Sequence, residues 1–278
     1  MTQTPHLATE NGLSRFMSST LGTHFVPTSE SSIMAPSRPD PIAYLTGRLT
    51  SAPRPGGISL PGGGGKFHSD GSVQPWPGNT FICHIDRASA AFEAIRALQE
   101  EIKRSAFNRF FTFLPPSSFH MTVFQGTSPL TRPGAGWPDG LDWPLDRDAV
   151  TAALGERVRD LDLPVRRTIR VIDLFAAHSL TVAGATPAAE ETLRTTRRTL
   201  SDATRMPQAD FEQYVFHISL AYLIDWVSEP LALEIVDFSR TQTELYAPLI
   251  GELELGPVEL CDFDSMHHFE PRLLLGKR

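Results

Sequence analysis

The sequence has little cysteine, no long basic run and no long apolar run. Only two of its 278 residues are cysteines, Cys83 and Cys261, and they match neither a disulfide framework nor a zinc motif. The net charge of −7 argues against binding of long duplex nucleic acid, which depends on neutralising phosphates. No apolar run approaches the ~20 residues of a membrane span. We therefore expect no duplex or membrane partner, and a reducing compartment, the cytoplasm.

The first 60 residues are rich in Ser, Thr, Pro and Gly and contain few large apolar side chains. Such a segment buries too little surface to offset its ordering entropy, so residues 1–60 are predicted to form a disordered or loosely packed tail. Within it, residues 42–49 could form one short helix that docks on the body. The scattered arginines and few acids leave a mitochondrial transit peptide open as an alternative.

Helices and strands alternate in the rest of the chain, residues 61–278. Most strands occur in pairs rather than in strand–helix–strand units, which favours an α+β fold with antiparallel sheets. The predicted elements include a helix at 88–104 capped by Asp86, and a strand at 213–223. We expect this part of the chain to be a monomer.

Two short segments share one pattern: apolar, His, apolar, hydroxyl, apolar. They are Phe119-His120-Met121-Thr122-Val123 and Phe216-His217-Ile218-Ser219-Leu220. Because successive side chains of a strand point to opposite faces, each strand presents one imidazole and one hydroxyl together. Two such strands across a cleft would place both pairs around one bound group. The alternative is two half-buried strands whose histidines are satisfied by neighbouring groups.

Paired imidazoles and hydroxyls suit the cleavage of a phosphodiester. Imidazole titrates near neutral pH, so one ring can take a proton from the attacking oxygen while the other protonates the leaving oxygen. The hydroxyls can donate hydrogen bonds to the non-bridging oxygens, which gather charge in the transition state. This chemistry requires no metal and no other cofactor. The sequence shows no convincing ligand cluster, and we interpret His84, His267 and His268 as ordinary strand-end residues.

With these motifs, the chain resembles the two-histidine (2H) phosphoesterase superfamily. Further stretches resemble one bacterial and fungal subgroup: residues 65–67, 77–80, 115–124, 137–138 and 216–222. The resemblance extends from about Gly65 to Leu275. It implies a duplicated fold of two lobes, roughly 61–165 and 166–278, whose antiparallel sheets face a central cleft with helices outside. Exchange of strands between the lobes is left open.

The resemblance also implies a function. It assigns catalysis to His120, Thr122, His217 and Ser219, in a metal-independent hydrolase of phosphoric diesters. The expected substrate is a small phosphodiester, such as a 2′,3′-cyclic nucleotide or the phosphate at an RNA end. The alternative is a module of the same fold that binds a nucleotide or RNA end without turnover.

Three further residues are weaker candidates for substrate binding: Ser118, Lys66 and Phe124. Ser118 shares the strand parity of the first motif, unless its hydroxyl is satisfied by the backbone. Lys66 could add positive charge to the cleft. Phe124 could contact a base, although a bulge in the strand would reverse its direction. Tyr222 has the parity of the apolar motif residues, so we place it in the core.

Overall fold

The computed structural model describes residues 38–59, 63–209 and 211–276. In chain order these residues form five α-helices and twelve strands: α1 Pro41–Leu45, β1 Ile58–Ser59, β2 Phe67–His68, β3 Gly78–His84, α2 Ala90–Arg104, β4 Phe111–Phe113, β5 His120–Gln125, α3 Arg147–Val158, β6 Arg167–Phe175, β7 Ser179–Gly184, α4 Pro187–Thr204, β8 His217–Ser219, β9 Ala221–Leu223, α5 Glu229–Ile250, β10 Glu252–Leu255, β11 Val258–Ser265 and β12 His268–Leu275. Two short 3₁₀-helices, Asn108–Phe110 and Pro116–Ser118, precede β4 and β5.

Eight of these strands form one sheet in the order β10-β6-β7-β8-β5-β3-β11-β12, with every neighbouring pair antiparallel. The sheet curls into a half-barrel. Its first four and last four strands are joined in the middle, where Met121 of β5 pairs with Ile218 of β8. The two motif strands are therefore the two central strands. The C-terminal strands β11 and β12 extend the half that contains β3, so strands are exchanged between the halves of the chain.

The helices cover one face of this sheet. Helix α5 packs on β6, α4 packs on β5 and β7, and α3 packs on β3 and β11. Helix α2 packs against α5, and its Phe92 lies 6.0 Å from Phe119, measured between ring centroids. The core on this face includes Met121 and Ile218. The predicted α+β fold with antiparallel strands and outer helices is confirmed.

A smaller apolar cluster lines the opposite face of the β3-β11-β12 half. Its members are Phe67, Trp76, Ile82, Leu114, Cys261, Phe263, Met266 and Phe269. Phe67 belongs to β2, which forms a short parallel pair with β1 outside the main sheet. The segment that follows α1 therefore covers part of the face that the helices leave open. Among the described residues, no helix combines the length and apolarity needed to cross a bilayer.

Two predicted elements differ in detail from the observed ones. The helix predicted at 88–104 begins at Ala90, because Ser89 rather than Asp86 accepts the hydrogen bond from Phe92 N (3.0 Å). Asp86 accepts a hydrogen bond from Ala88 N, in the turn before the helix. The strand predicted at 213–223 is two strands, β8 and β9, and β9 pairs with β4 outside the main sheet.

The end of the predicted tail is packed against the rest of the fold. Helix α1 begins at an Asp40 cap, contacts α5 and buries Leu45 completely. Val227 N donates a hydrogen bond to Leu45 O (3.1 Å). The docked short helix is therefore observed, although it ends at Leu45, and residues 38–59 are not a loose tail. The rest of the tail prediction, residues 1–37, lies outside the described residues.

Candidate active site

The two motifs lie side by side on one face of the sheet. Since β5 and β8 are antiparallel, the Met121–Ile218 pair sets His120 beside Ser219 and Thr122 beside His217. All four of these side chains are partly exposed, whereas Met121 and Ile218 are buried on the other face. Residues directly opposite each other in such strands have Cβ atoms about 5 Å apart. The strand parity expected from the motifs thus places the two imidazoles and two hydroxyls together.

The two imidazoles are held in the same way. His120 Nδ1 lies 2.7 Å from Ser118 O, and His217 Nδ1 lies 2.9 Å from Val215 O. A carbonyl oxygen can only accept, so the hydrogen of each neutral ring is on Nδ1. This arrangement leaves Nε2 of each ring as the atom that can accept or deliver a proton.

Burial determines the protonation state of both histidines. Desolvation lowers the pKa of His120 to about 4, against the opposing effect of the hydrogen bond to Ser118 O. Desolvation also lowers the pKa of His217 to about 4, and the positive charges of Arg38 and Lys66 act in the same direction. Without a ligand, both imidazoles are therefore neutral at pH 7.

The neighbouring strand β7 extends the polar face. Ser179 pairs with Ser219, and Thr181 pairs with His217, so both hydroxyls of β7 lie next to the motif residues. Arg38 lies over this pair: its Nη2 donates to Ser179 Oγ and its Nε donates to Thr181 Oγ1, each at 3.2 Å. The guanidinium carbon of Arg38 is 5.0 Å from the ring centroid of Phe175. A residue from the predicted tail is thus part of the site.

Lys66 approaches His217 from the segment that follows β1. Its Nζ lies 3.4 Å from Tyr222 Oη and 5.2 Å from the centroid of the same ring. Its charge contributes to the lowered pKa of His217. Lys66 therefore lies on the His217 side of the two motifs.

A different set of groups surrounds His120. The ring of Phe269 lies 4.3 Å from the imidazole, measured between centroids, and the ring of His84 lies 6.2 Å away. His84 Nδ1 is 2.8 Å from Glu259 Oε2. His84, Glu259 and Cys261 offer ligand atoms within 4.8 Å of one another, so these three residues could hold a metal ion. The sequence did not reveal this group, because β3 and β11 are distant in sequence and pair only in the fold.

One family model matches a part of the chain that includes the first motif. Residues 66–179 match the family model described as 2H-phosphodiest, Domain of unknown function (DUF1868). This match supports the resemblance to 2H phosphoesterases over that part of the chain.

A solved structure with the same fold also matches. It is the crystal structure of a conserved protein of unknown function from Agrobacterium tumefaciens, with a TM-score of 0.77 and 26% sequence identity. The match covers 85% of this chain and 98% of that protein. No curated protein matches the chain.

Two of the weaker site candidates are not in the 2H site. Ser118 is buried in the 3₁₀-helix before β5, and its hydroxyl donates to Pro115 O (2.8 Å). Its side chain is thus satisfied by the backbone, although its carbonyl oxygen orients His120. Phe124 is fully buried in the core beneath the helices. The register between β3 and β5 shifts beside it, which reverses its direction, as a bulge does.

Tyr222 packs against the smaller apolar cluster and not on the face of Phe216, Ile218 and Leu220, as its parity had predicted. Leu220 N and Ala221 N both donate to His178 O, at 2.8 and 3.0 Å. Two successive residues therefore face the same acceptor, and the alternation of side chains is reversed after this point. Tyr222 consequently lies partly exposed beneath Lys66. Parity can be read from a sequence only as far as the next irregularity in the strand.

Three features of the site were not predicted from the sequence: Arg38, the hydroxyls of β7, and the His84–Glu259 pair. Ser179 and Thr181 do carry a signal, because they alternate with apolar residues as the motif residues do. Arg38 carries none, since it stands in a Ser- and Pro-rich segment and reaches the site only through the docking of α1.

Proposed function

We propose that the protein is a phosphoric diester hydrolase that acts on a small phosphodiester by acid–base catalysis of His120 and His217. The observation that supports this proposal most is the shared face of the two motifs on the central strands. A phosphate bound there would lie between two imidazoles, each with Nδ1 held by a carbonyl and Nε2 left for proton transfer.

The substrate that fits this chemistry is a 2′,3′-cyclic nucleotide, or a cyclic phosphate at an RNA end. One imidazole would take a proton from water as the water oxygen attacks phosphorus. The other imidazole would protonate the ribose oxygen as its bond to phosphorus breaks, which yields a phosphomonoester. Thr122 and Ser219 would donate hydrogen bonds to the non-bridging oxygens. This mechanism uses no metal, and its setting would be the cytoplasm.

The acid step requires one protonated imidazole, yet both are neutral at pH 7 when no ligand is bound. A phosphate anion beside an imidazole favours the charged form, so substrate binding would raise the pKa of one ring. Substrate binding would thus produce the protonated imidazole that acts as the general acid.

One observation favours the alternative, a binding module without turnover. In each neutral imidazole the one N–H is donated to a carbonyl oxygen, so Nε2 can donate to a phosphate only after it has taken up a proton. A site of this kind could bind product as well as substrate. Intact imidazole and hydroxyl residues in both motifs favour catalysis, because simple binding does not require them in pairs.

One experiment distinguishes hydrolysis from binding without turnover. The purified protein is incubated with the four nucleoside 2′,3′-cyclic phosphates, and product formation is followed by chromatography. We expect turnover of at least one of them, lost in His120→Ala and in His217→Ala. His268→Ala is the matched control, because that imidazole is 75% exposed and pairs with Glu270. Binding without turnover in the unaltered protein would instead support the binding module.

A further inference from the structure

The guanidinium of Arg38 is partly buried beside Thr181, the residue paired with His217, and the protein leaves some of its N–H donors without a partner in these bonds. A guanidinium carries five N–H donors, and two of those of Arg38 end on the hydroxyls of Ser179 and Thr181. These partners are neutral. Burial lowers the pKa of Arg38 because the charged form is costly here, and the carboxylate of Asp173 offsets only part of this effect. A bound anion would accept hydrogen bonds from the remaining N–H groups and would offset the charge of the guanidinium.

The strand register fixes where Arg38 stands. Thr181 pairs with His217 on one side and with Asp173 on the other. Arg38 donates a hydrogen bond to Thr181, so its guanidinium lies on the strand between His217 and Asp173. Neighbouring strands are about 4.8 Å apart, which places an anion bonded to Arg38 within reach of His217.

A second cation strengthens this side of the site. The charges of Arg38 and Lys66 both act on His217, whereas His120 lies beside His84, which is paired with Glu259. The two cations of the site are therefore on the His217 side. Such asymmetry is expected where an anionic group has a fixed place.

We propose that Arg38, together with Lys66, forms an anion subsite beside His217 that binds the phosphate oxygens of the substrate. The inference rests on the proposed phosphodiester chemistry and adds a substrate-binding residue from the segment before β1, outside residues 66–179. Arg38 donates to the phosphate through N–H groups that the hydroxyls do not use. Ser179 and Thr181 hold the guanidinium in position.

The competing explanation is a structural one, in which Arg38 only fastens its segment to β7. Two substitutions separate these roles. Arg38→Gln keeps hydrogen-bond donors for the hydroxyls but removes the charge, whereas Arg38→Lys keeps the charge but loses the planar fork. Arg48→Ala is the matched control, because Arg48 belongs to the same segment and its side-chain contacts are exposed: Nε donates to Thr46 Oγ1 at 3.1 Å, and Nη1 lies 3.9 Å from Glu229 Oε2.

The test measures binding of adenosine 2′-monophosphate and of inorganic phosphate by calorimetry, with the unfolding temperature of each variant recorded alongside. We expect Arg38→Gln to weaken binding of the nucleotide on the order of 10- to 100-fold, the usual worth of a hydrogen bond between charged groups. Arg38→Lys should weaken it less, and Arg48→Ala should bind like the unaltered protein. The unfolding temperature of Arg38→Gln should change little.

Equal affinity in Arg38→Gln and the unaltered protein would overturn the anion subsite. A lowered unfolding temperature with unchanged affinity would assign Arg38 a structural role and would also overturn it. Absence of binding of both probes to the unaltered protein would refute the subsite itself. None of these results depends on turnover, so the proposed hydrolase activity is judged separately by the His120→Ala and His217→Ala variants.

Discussion

His120 and His217 are oriented by the same device: each directs Nδ1 to the carbonyl oxygen two residues earlier, at 2.7 and 2.9 Å. Because the carbonyl can only accept, both rings have Nε2 available for proton transfer. The two histidines therefore stand in equivalent states, and their different neighbours must decide which acts as acid and which as base.

The first prediction concerns the loss of either ring. His120→Ala and His217→Ala should each reduce turnover of the substrate by on the order of 10²–10⁴, the usual contribution of a positioned general acid or base. The double variant should lose less than the product of the two, because the rings act as a unit. Near-normal turnover in one single variant would show that its motif is structural.

The second prediction concerns the protonation that accompanies binding. Burial lowers the pKa of both imidazoles to about 4, so the free site carries no imidazolium at pH 7. An anion raises the pKa of the ring beside it, so anion binding takes up a proton and should strengthen as the pH falls from 7 to 5. Sulfate is a suitable probe, since it remains a dianion throughout this range.

The measurement is calorimetry of sulfate binding in buffers of different ionisation enthalpy, which reports proton uptake directly. The double variant His120→Ala with His217→Ala should bind sulfate with no such uptake. Binding that is independent of pH in the unaltered protein would contradict the linkage. With both pKa values lowered to about 4, the pH dependence of kcat/KM is not expected to have its limbs near the free imidazole value of about 6.5.

The third prediction concerns acid stability. The ring of His178 is stacked on Tyr44, with centroids 5.2 Å apart, and desolvation lowers its pKa to about 3. A histidine whose pKa is lower in the folded state binds its proton preferentially when unfolded. The free energy of unfolding should therefore decrease as the pH falls from about 6.5 towards 3. His178→Phe should make this decrease smaller, as measured by urea unfolding at several pH values. An unchanged pH dependence in His178→Phe would contradict the prediction.

The sequence was sufficient to place the motif residues, but not residues whose position depends on a strand irregularity or a tertiary contact. The motif residues could be placed because one alternating strand determines which side chains share a face. Phe124 and Tyr222 were misplaced because each follows an irregularity that depends on hydrogen bonds to distant strands. Arg38 was missed because its position depends on the packing of Leu45, a tertiary contact with no local signal.

The fourth prediction tests the packing of that segment. Leu45 is fully buried, whereas Leu49, four residues later, is 54% exposed. Leu45→Ala should lower the free energy of unfolding by about 2–5 kcal/mol, because it leaves a cavity in the core. Leu49→Ala is the matched control and should change it by less than about 0.5 kcal/mol. Equal, small effects of both substitutions in denaturant unfolding would show that the segment does not contribute to the fold.

The last prediction concerns metal. His84, Glu259 and Cys261 could hold an ion next to His120, but the proposed reaction needs only imidazoles and hydroxyls. The 2.8 Å contact between His84 and Glu259 already gives both groups a partner. Turnover should therefore survive excess chelator, and Cys261→Ser should lower it far less than His120→Ala does.

Metal analysis of the purified protein completes the test. A stoichiometric ion that is lost in Cys261→Ser, together with activity abolished by chelator and restored by one divalent cation, would refute the metal-free mechanism. The His84–Glu259–Cys261 group would then be part of the reaction, with the ion beside His120. Retained activity without bound metal would leave His84 and Glu259 as a hydrogen-bonded pair beside His120.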